Sequence, residues 1–149
     1  SYYIKPLISS FDGVTIEIDK IIEKAFIMAD EKQIRQACSN LIKNSYENIT
    51  LNKIPEGNIS ICFGIENDFA SITINDNGTG IDKSIISKIL EPYYTTKVGN
   101  SGLGLAITKK IIDDHNGIIL IKPLKSPKGM SVTLKFPLIS KLKKEKNRG

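Results

Sequence analysis

The chain has 149 residues, 40% hydrophobic and 25% charged, with a net charge of +5 and two cysteines. That composition suits one globular domain with a full core. No apolar run approaches the roughly 18 residues that span a bilayer, no signal-peptide pattern opens the chain, and Cys38 and Cys62 form neither a CxxC pair nor a metal-ligand cluster.

The charge is not a nucleic-acid-binding patch. Residues 141–149 hold Lys141, Lys143, Lys144, Lys146 and Arg148 against Glu145, which is +4 of the net +5. Residues 139–149 therefore read as a basic, disordered tail after one domain over 1–138, and no nucleic-acid partner is expected. The two cysteines lie among apolar neighbours and read as buried free thiols.

In chain order, residues 14–18 (VTIEI) alternate and 25–29 (AFIMA) form a short apolar run, so both predict strands. The chain opens at once on Ser1-Tyr2-Tyr3, with little room for an element ahead of the strand at 14–18. Asp30 is placed to N-cap a helix, with Gln33 three residues on as in a capping box, and the helix runs to about Ile49. On it Ile34, Ala37, Cys38, Leu41, Ile42 and Ser45 share one face, Asn40 and Asn44 lie one turn apart along its border with Glu47 and Asn48, and Lys43 points outward. A connection with Pro55 and Gly57 leads to strands at 59–65 (ISICFGI) and 70–75 (ASITIN). Residues 83–90 form a short helix capped by Asp82, and 91–102 (EPYYTTKVGNSG) hold too many loop formers to be regular. A helix with apolar Leu103, Ala106, Ile107 and Ile111 stops near Asn116-Gly117. Strands at 118–122 and 131–136 close the domain. The class is an α/β sandwich in the α+β sense: a mixed, largely antiparallel sheet with helices on one face.

Three stretches carry chemistry. Asn40 and Asn44 either satisfy backbone groups at a half-buried border or line a cleft whose side-chain oxygens suit a hard cation such as Mg²⁺. Asp76-Asn77-Gly78-Thr79-Gly80 comes directly after a strand. It is either a sharp turn in which Asn-Gly and Gly80 supply positive φ, or a pocket where the Asp76 carboxylate accepts from an exocyclic amine and Gly78 and Gly80 admit a flat ring. Gly99 to Leu105 (GNSGLGL) runs from loop into helix and would expose free N–H groups to phosphate. It is neither a P-loop nor a dinucleotide fingerprint.

In this order, DEKQIRQACSNLIKNSYENI, INDNGTGI, LEPYYTTK and GNSGLGLAITKKIIDDHNG resemble the asparagine, first glycine, phenylalanine and second glycine boxes of the histidine-kinase branch of the Bergerat-fold ATPases. The resemblance covers about residues 14–138, and EPYYTTK with its short loop is most similar to the nitrogen-regulation sensor kinases. It implies ATP between the first long helix and a mobile lid. Asn44 would coordinate Mg²⁺ and Asn40 would lie beside the phosphates. Asp76 would accept from the adenine amino group, with Gly78, Gly80 and Ile81 shaping the pocket. Gly102, Leu103 and Gly104 would meet the phosphates. The lid would span about Pro92 to Ser101, with Tyr93 and Tyr94 as hinge aromatics or core packing, and Lys97 as a phosphate contact or a solvated side chain.

Glu47 departs from the basic residue that many relatives carry, which implies modest nucleotide affinity. Relatives that hydrolyse ATP have glutamate where this chain has Asn40, and an amide cannot activate water as a base. The resemblance therefore implies transfer to a separate nucleophile rather than hydrolysis. The sole histidine, His115, matches a structural position, so the phosphoacceptor is expected on a separate dimerisation domain of a homodimeric kinase that in turn serves a response regulator. The segment would be cytoplasmic, in a parent protein that is free or anchored in the inner membrane. The rival readings are an ATPase or serine kinase of the same superfamily, a nucleotide-sensing regulatory module, and a nucleic-acid contact made by the basic tail.

Overall fold

The computed structural model describes residues 2–11, 13–22, 25–91 and 104–148. Six strands form one sheet in the order β1-β2-β3-β4-β6-β5, with β1 Tyr2–Phe11, β2 Val14–Ile22, β3 Gly57–Glu66, β4 Phe69–Asp76, β5 Ile118–Lys125 and β6 Lys128–Pro137. Only β2 and β3 pair in parallel, and α1 (Glu31–Leu51) makes the crossover between them. All other pairs are antiparallel. The mixed, largely antiparallel sheet is as expected.

The register explains the core. Ile18, Ile61, Ile74, Val132 and Ile121 lie opposite one another across five strands and face the helices. The neighbouring row on the other face reads Asp19, Cys62, Thr73, Thr133 and Leu120. Its two threonine hydroxyls are 3.0 Å apart. Alternation thus separates an aliphatic face from a polar one. α1 covers the aliphatic face through Ala37, Leu41, Ser45 and Ile49, spaced by four. α3 (Gly104–Asp114) packs beside it through Thr108, Ile111 and Ile112. Each buried branched aliphatic contributes roughly 1.5–3 kcal/mol.

The helix ends are specified locally. Asp30 caps α1 by accepting from the Gln33 N–H at 3.2 Å. The reciprocal half of the capping box is replaced: the Asp30 N–H donates to His115 Nε2 at 3.0 Å. α1 ends in a Schellman motif with Lys53 in the left-handed position at φ 51, the Ile54 N–H reaching Ile49 O and the Lys53 N–H reaching Thr50 O. α3 ends the same way, but Asn116 rather than Gly117 takes the positive φ, and the Gly117 N–H bonds to Ile112 O at 2.9 Å. Asp82 caps a 3-10 turn (Lys83–Ile85) that leads into α2 (Ile86–Ile89). The N–H and hydroxyl of Ser84 hold the Asp82 carboxyl below its usual range.

Four expectations are corrected. Residues 25–29 form no strand, only a bridge between Ile27 and Leu138, because Phe26 and Met28 point to solvent and leave one inward residue to pair. A strand, β1, does precede residue 14. Of the apolar positions that marked the helix after the loop, Ile107 is exposed, whereas Thr108, Ile111 and Ile112 are the buried ones. Residues 139–149 are not an unstructured tail throughout: α4 covers Ile139–Lys146, a run of good helix formers in which Lys dominates.

Candidate functional site

At the end of β4 the alternation that turns half-buried Ile72 and buried Ile74 toward the core continues one step further and puts a carboxylate on the core-facing side. Asp76 lies opposite Ile59 and Met130 and is 6% exposed. A buried charge is costly unless it is well bonded. Oδ1 accepts the Gly78 N–H at 3.0 Å and the Met130 N–H at 3.2 Å, and Oδ2 accepts the Ser45 hydroxyl at 2.8 Å. All three are neutral donors.

The turn after Asp76 is held from α1. Asn48 Oδ1 accepts the Thr79 N–H at 2.9 Å and its Nδ2 donates to Thr79 Oγ1 at 3.0 Å. Asn77 Oδ1 accepts the Asn58 N–H at 2.7 Å, and its Nδ2 donates to Glu56 O at 2.9 Å. The expected positive φ at Asn-Gly is absent; among residues 76–80 only Gly80 has it, at 78°. A Cβ on Gly78 would overlap Asn48 Oδ1, and one on Gly80 would crowd Gly129 O at 3.1 Å. Ile81, directly after the turn, is half-buried.

The same helix reaches the second glycine stretch. Asn40 is half-buried, and its Nδ2 donates to Gly104 O at 3.3 Å, an oxygen that also accepts the Thr108 hydroxyl at 3.0 Å. Asn44, one turn on, is half-buried on the same border. The structure thus brings Asn40, Asn44, Asp76, Gly78, Gly80 and Gly104 round one side of α1. The lid from Pro92 to Ser101 with Tyr93, Tyr94 and Lys97, and also Gly102 and Leu103, lie outside the described residues. Glu47 pairs with Lys43 at 3.8 Å. Among the described residues no three His, Cys, Asp or Glu side chains cluster to hold a metal. A cation here would need amide oxygens such as that of Asn44 together with oxygens from its ligand.

His115 is structural. Its Nδ1 lies 2.6 Å from Ile111 O, Nε2 accepts from Asp30, and its ring meets Phe136 edge to face at 6.3 Å. Both nitrogens are in use. The cysteines are free but only half-buried, not buried as expected. Burial pushes the Cys38 thiol up, and burial followed by the Asp19 charge and hydrogen bond does the same for Cys62.

Three contacts escaped the sequence reading: Ser45, Met130 and Gly129, where a Cβ would overlap Asp76 O. Ser45 carried a signal, a hydroxyl inside an apolar stripe. For the other two, only the β4–β6 register reveals the contact.

The family described as histidine kinase-, DNA gyrase B-, and HSP90-like ATPase matches residues 29–140. An NtrY-like sensor histidine kinase of Rickettsia conorii is 34% identical over 127 residues, 85% of this chain and 21% of the relative. Sporulation kinase A of Bacillus subtilis is 31% identical over 130 residues, 87% of this chain and 20% of the relative. The chain spans about a fifth of the length of these relatives. Among solved structures, the catalytic domain of the histidine kinase ThkA superimposes with a TM-score of 0.72 at 27% identity, covering 84% of this chain and 80% of that one. A mycobacterial sensor histidine kinase, MprB, gives 0.70 at 21% identity, covering 85% and 83%, a likeness of fold.

Proposed function

The chain belongs to the histidine kinase-, DNA gyrase B-, and HSP90-like ATPase family, and from that premise we propose that it is the ATP-binding catalytic domain of a sensor histidine kinase. It binds Mg-ATP and delivers the γ-phosphate to a histidine on a separate dimerisation domain of its parent protein, which then serves a response regulator. The observation that carries this reading is Asn40. It is an amide on the α1 border, bonded to the start of α3 at Gly104, where hydrolysis would call for a water-activating carboxylate. The nucleophile must then come from elsewhere, because the chain's one histidine has both ring nitrogens engaged.

Each part of the site has a task. Asp76 offers its remaining acceptor direction to the adenine amino group, and the N-terminal turn of α3 offers N–H groups and the positive end of its dipole to phosphate. Asn44 would hold Mg²⁺ by its amide oxygen. The cation supplies charge neutralisation at the phosphate oxygens. The chain's own contribution is to place the γ-phosphate for an incoming imidazole, a matter of proximity and alignment.

Calorimetric titration of ATP with and without Mg²⁺ tests this reading. We expect Mg²⁺-assisted binding in the wild-type chain. Asn44→Ala should lose the assistance while retaining Mg²⁺-free binding. A wild-type chain that binds no ATP under either condition contradicts the reading.

A further inference from the structure

α1 buries Ala37, Leu41 and Ile49 at four-residue spacing, and Ser45 occupies the one slot where that stripe turns polar. It is 3% exposed. A hydroxyl buried without a partner is costly, and alanine would fill the same slot without one. The hydroxyl has a partner, Asp76 Oδ2 at 2.8 Å.

An ionised carboxylate has about four acceptor positions, two on each oxygen. The Gly78 and Met130 N–H groups take both positions on Oδ1, and Ser45 takes one on Oδ2. Among the described residues this leaves one direction, on the oxygen that Ser45 holds. We infer that Ser45 is a positioning residue which, through Asp76, aims that last acceptor at the 6-amino group of the bound purine. The assignment rests on the ATP-binding reading above and deepens it.

Ser45 and Asn44 are consecutive on one rigid helix, so the helix that presents the border amides also sets where the amine acceptor points. Asn48 differs in kind. It grips Thr79 through both amide atoms and supports the turn as a whole. Loss of Asn48 should therefore weaken every purine nucleotide alike, whereas loss of Ser45 should be felt only by a ligand carrying the amine.

The test is calorimetric titration of the whole chain, in Mg²⁺, with ATP and with purine riboside triphosphate, which has hydrogen in place of the 6-amino group. The wild type should prefer ATP by about tenfold or more, as a hydrogen bond to a charged acceptor implies. Ser45→Ala should lower ATP affinity about three- to tenfold and leave the deamino nucleotide within about twofold, while Asn48→Ala lowers both equally. Ser45→Cys keeps the shape with a larger group that donates only weakly, so it should behave like alanine and serves if the alanine chain does not fold. Equal losses for both nucleotides in the Ser45 variants, or no loss for ATP, overturn the assignment and leave ATP binding standing. A wild-type chain that binds neither nucleotide overturns the ATP reading, and the assignment with it.

Discussion

Replacing Asp76 by asparagine separates what the carboxylate does for the fold from what it does for a ligand. The amide oxygen can keep the Gly78 and Met130 N–H groups that Oδ1 accepts now. The amide nitrogen then faces Ser45, whose hydroxyl can turn and accept where it now donates. Three internal bonds remain three, and the loss is the exchange of charge-assisted for neutral ones. That costs about 1–2 kcal/mol, or roughly 3–6 °C in melting temperature for a domain of this size. The fourth direction changes sign: an acceptor for the adenine amine becomes a donor facing it. ATP should lose a charge-assisted bond of roughly 1.5–3 kcal/mol, a factor of about 10–100 in affinity. Inosine triphosphate presents an acceptor at the same ring position, so it should gain relative to ATP. Titration calorimetry with both nucleotides and a thermal melt read both effects. ATP affinity within about twofold of wild type, with the fold intact, would refute the assignment of Asp76 to the base.

His115→Ala removes an edge-to-face contact with Phe136 and the bridge between Ile111 O and the N–H of Asp30. It should destabilise by about 2–3 kcal/mol in denaturant titration while leaving ATP affinity nearly unchanged; labelling of His115 by ATP in the isolated chain would contradict its structural role. Lys53→Gly relieves a left-handed residue at the end of α1 without disturbing either Schellman bond. It should raise stability by about 0.5–1 kcal/mol, and a lower melting temperature would count against strain at that position. Both thiols titrate above the ordinary range, so fewer thiolates exist near pH 8 and alkylation there should lag behind a free cysteine, with the gap closing as pH rises through the raised values. Asp19→Asn removes the carboxylate charge that helps hold Cys62 up and should speed its labelling but not that of Cys38.

Much of this was legible because burial is one-sided. The α1 cap at Asp30 and its stripe, and the alternation of β3, β4 and β6, arise from local periodicity alone. β1 was hidden because Pro6 sits where its register shifts, between Ile4 and Leu7, and breaks the alternation. Residues 25–29 misled in the opposite way: the run is apolar, but Phe26 and Met28 are exposed. At the site, Asp76 could be read from its place at the end of an alternating strand. Its partners could not, since Ser45 and Met130 are 31 and 54 positions away and meet it only through the α1 crossover and the β4–β6 register. Two asparagines at the turn also did unexpected work: Asn77, within it, stitches it to the start of β3, and Asn48, on α1, fills the space that a side chain at position 78 would need.

Transfer of phosphate to a histidine outside this chain is the central claim. Its direct test is incubation of the chain with γ-labelled ATP and Mg²⁺, with and without the phosphoacceptor domain of its parent protein added in trans. We predict acid-labile label on the acceptor's histidine, none on this chain, and loss of transfer in Asp76→Asn. Steady release of inorganic phosphate by the chain alone, with the acceptor unlabelled, would contradict it.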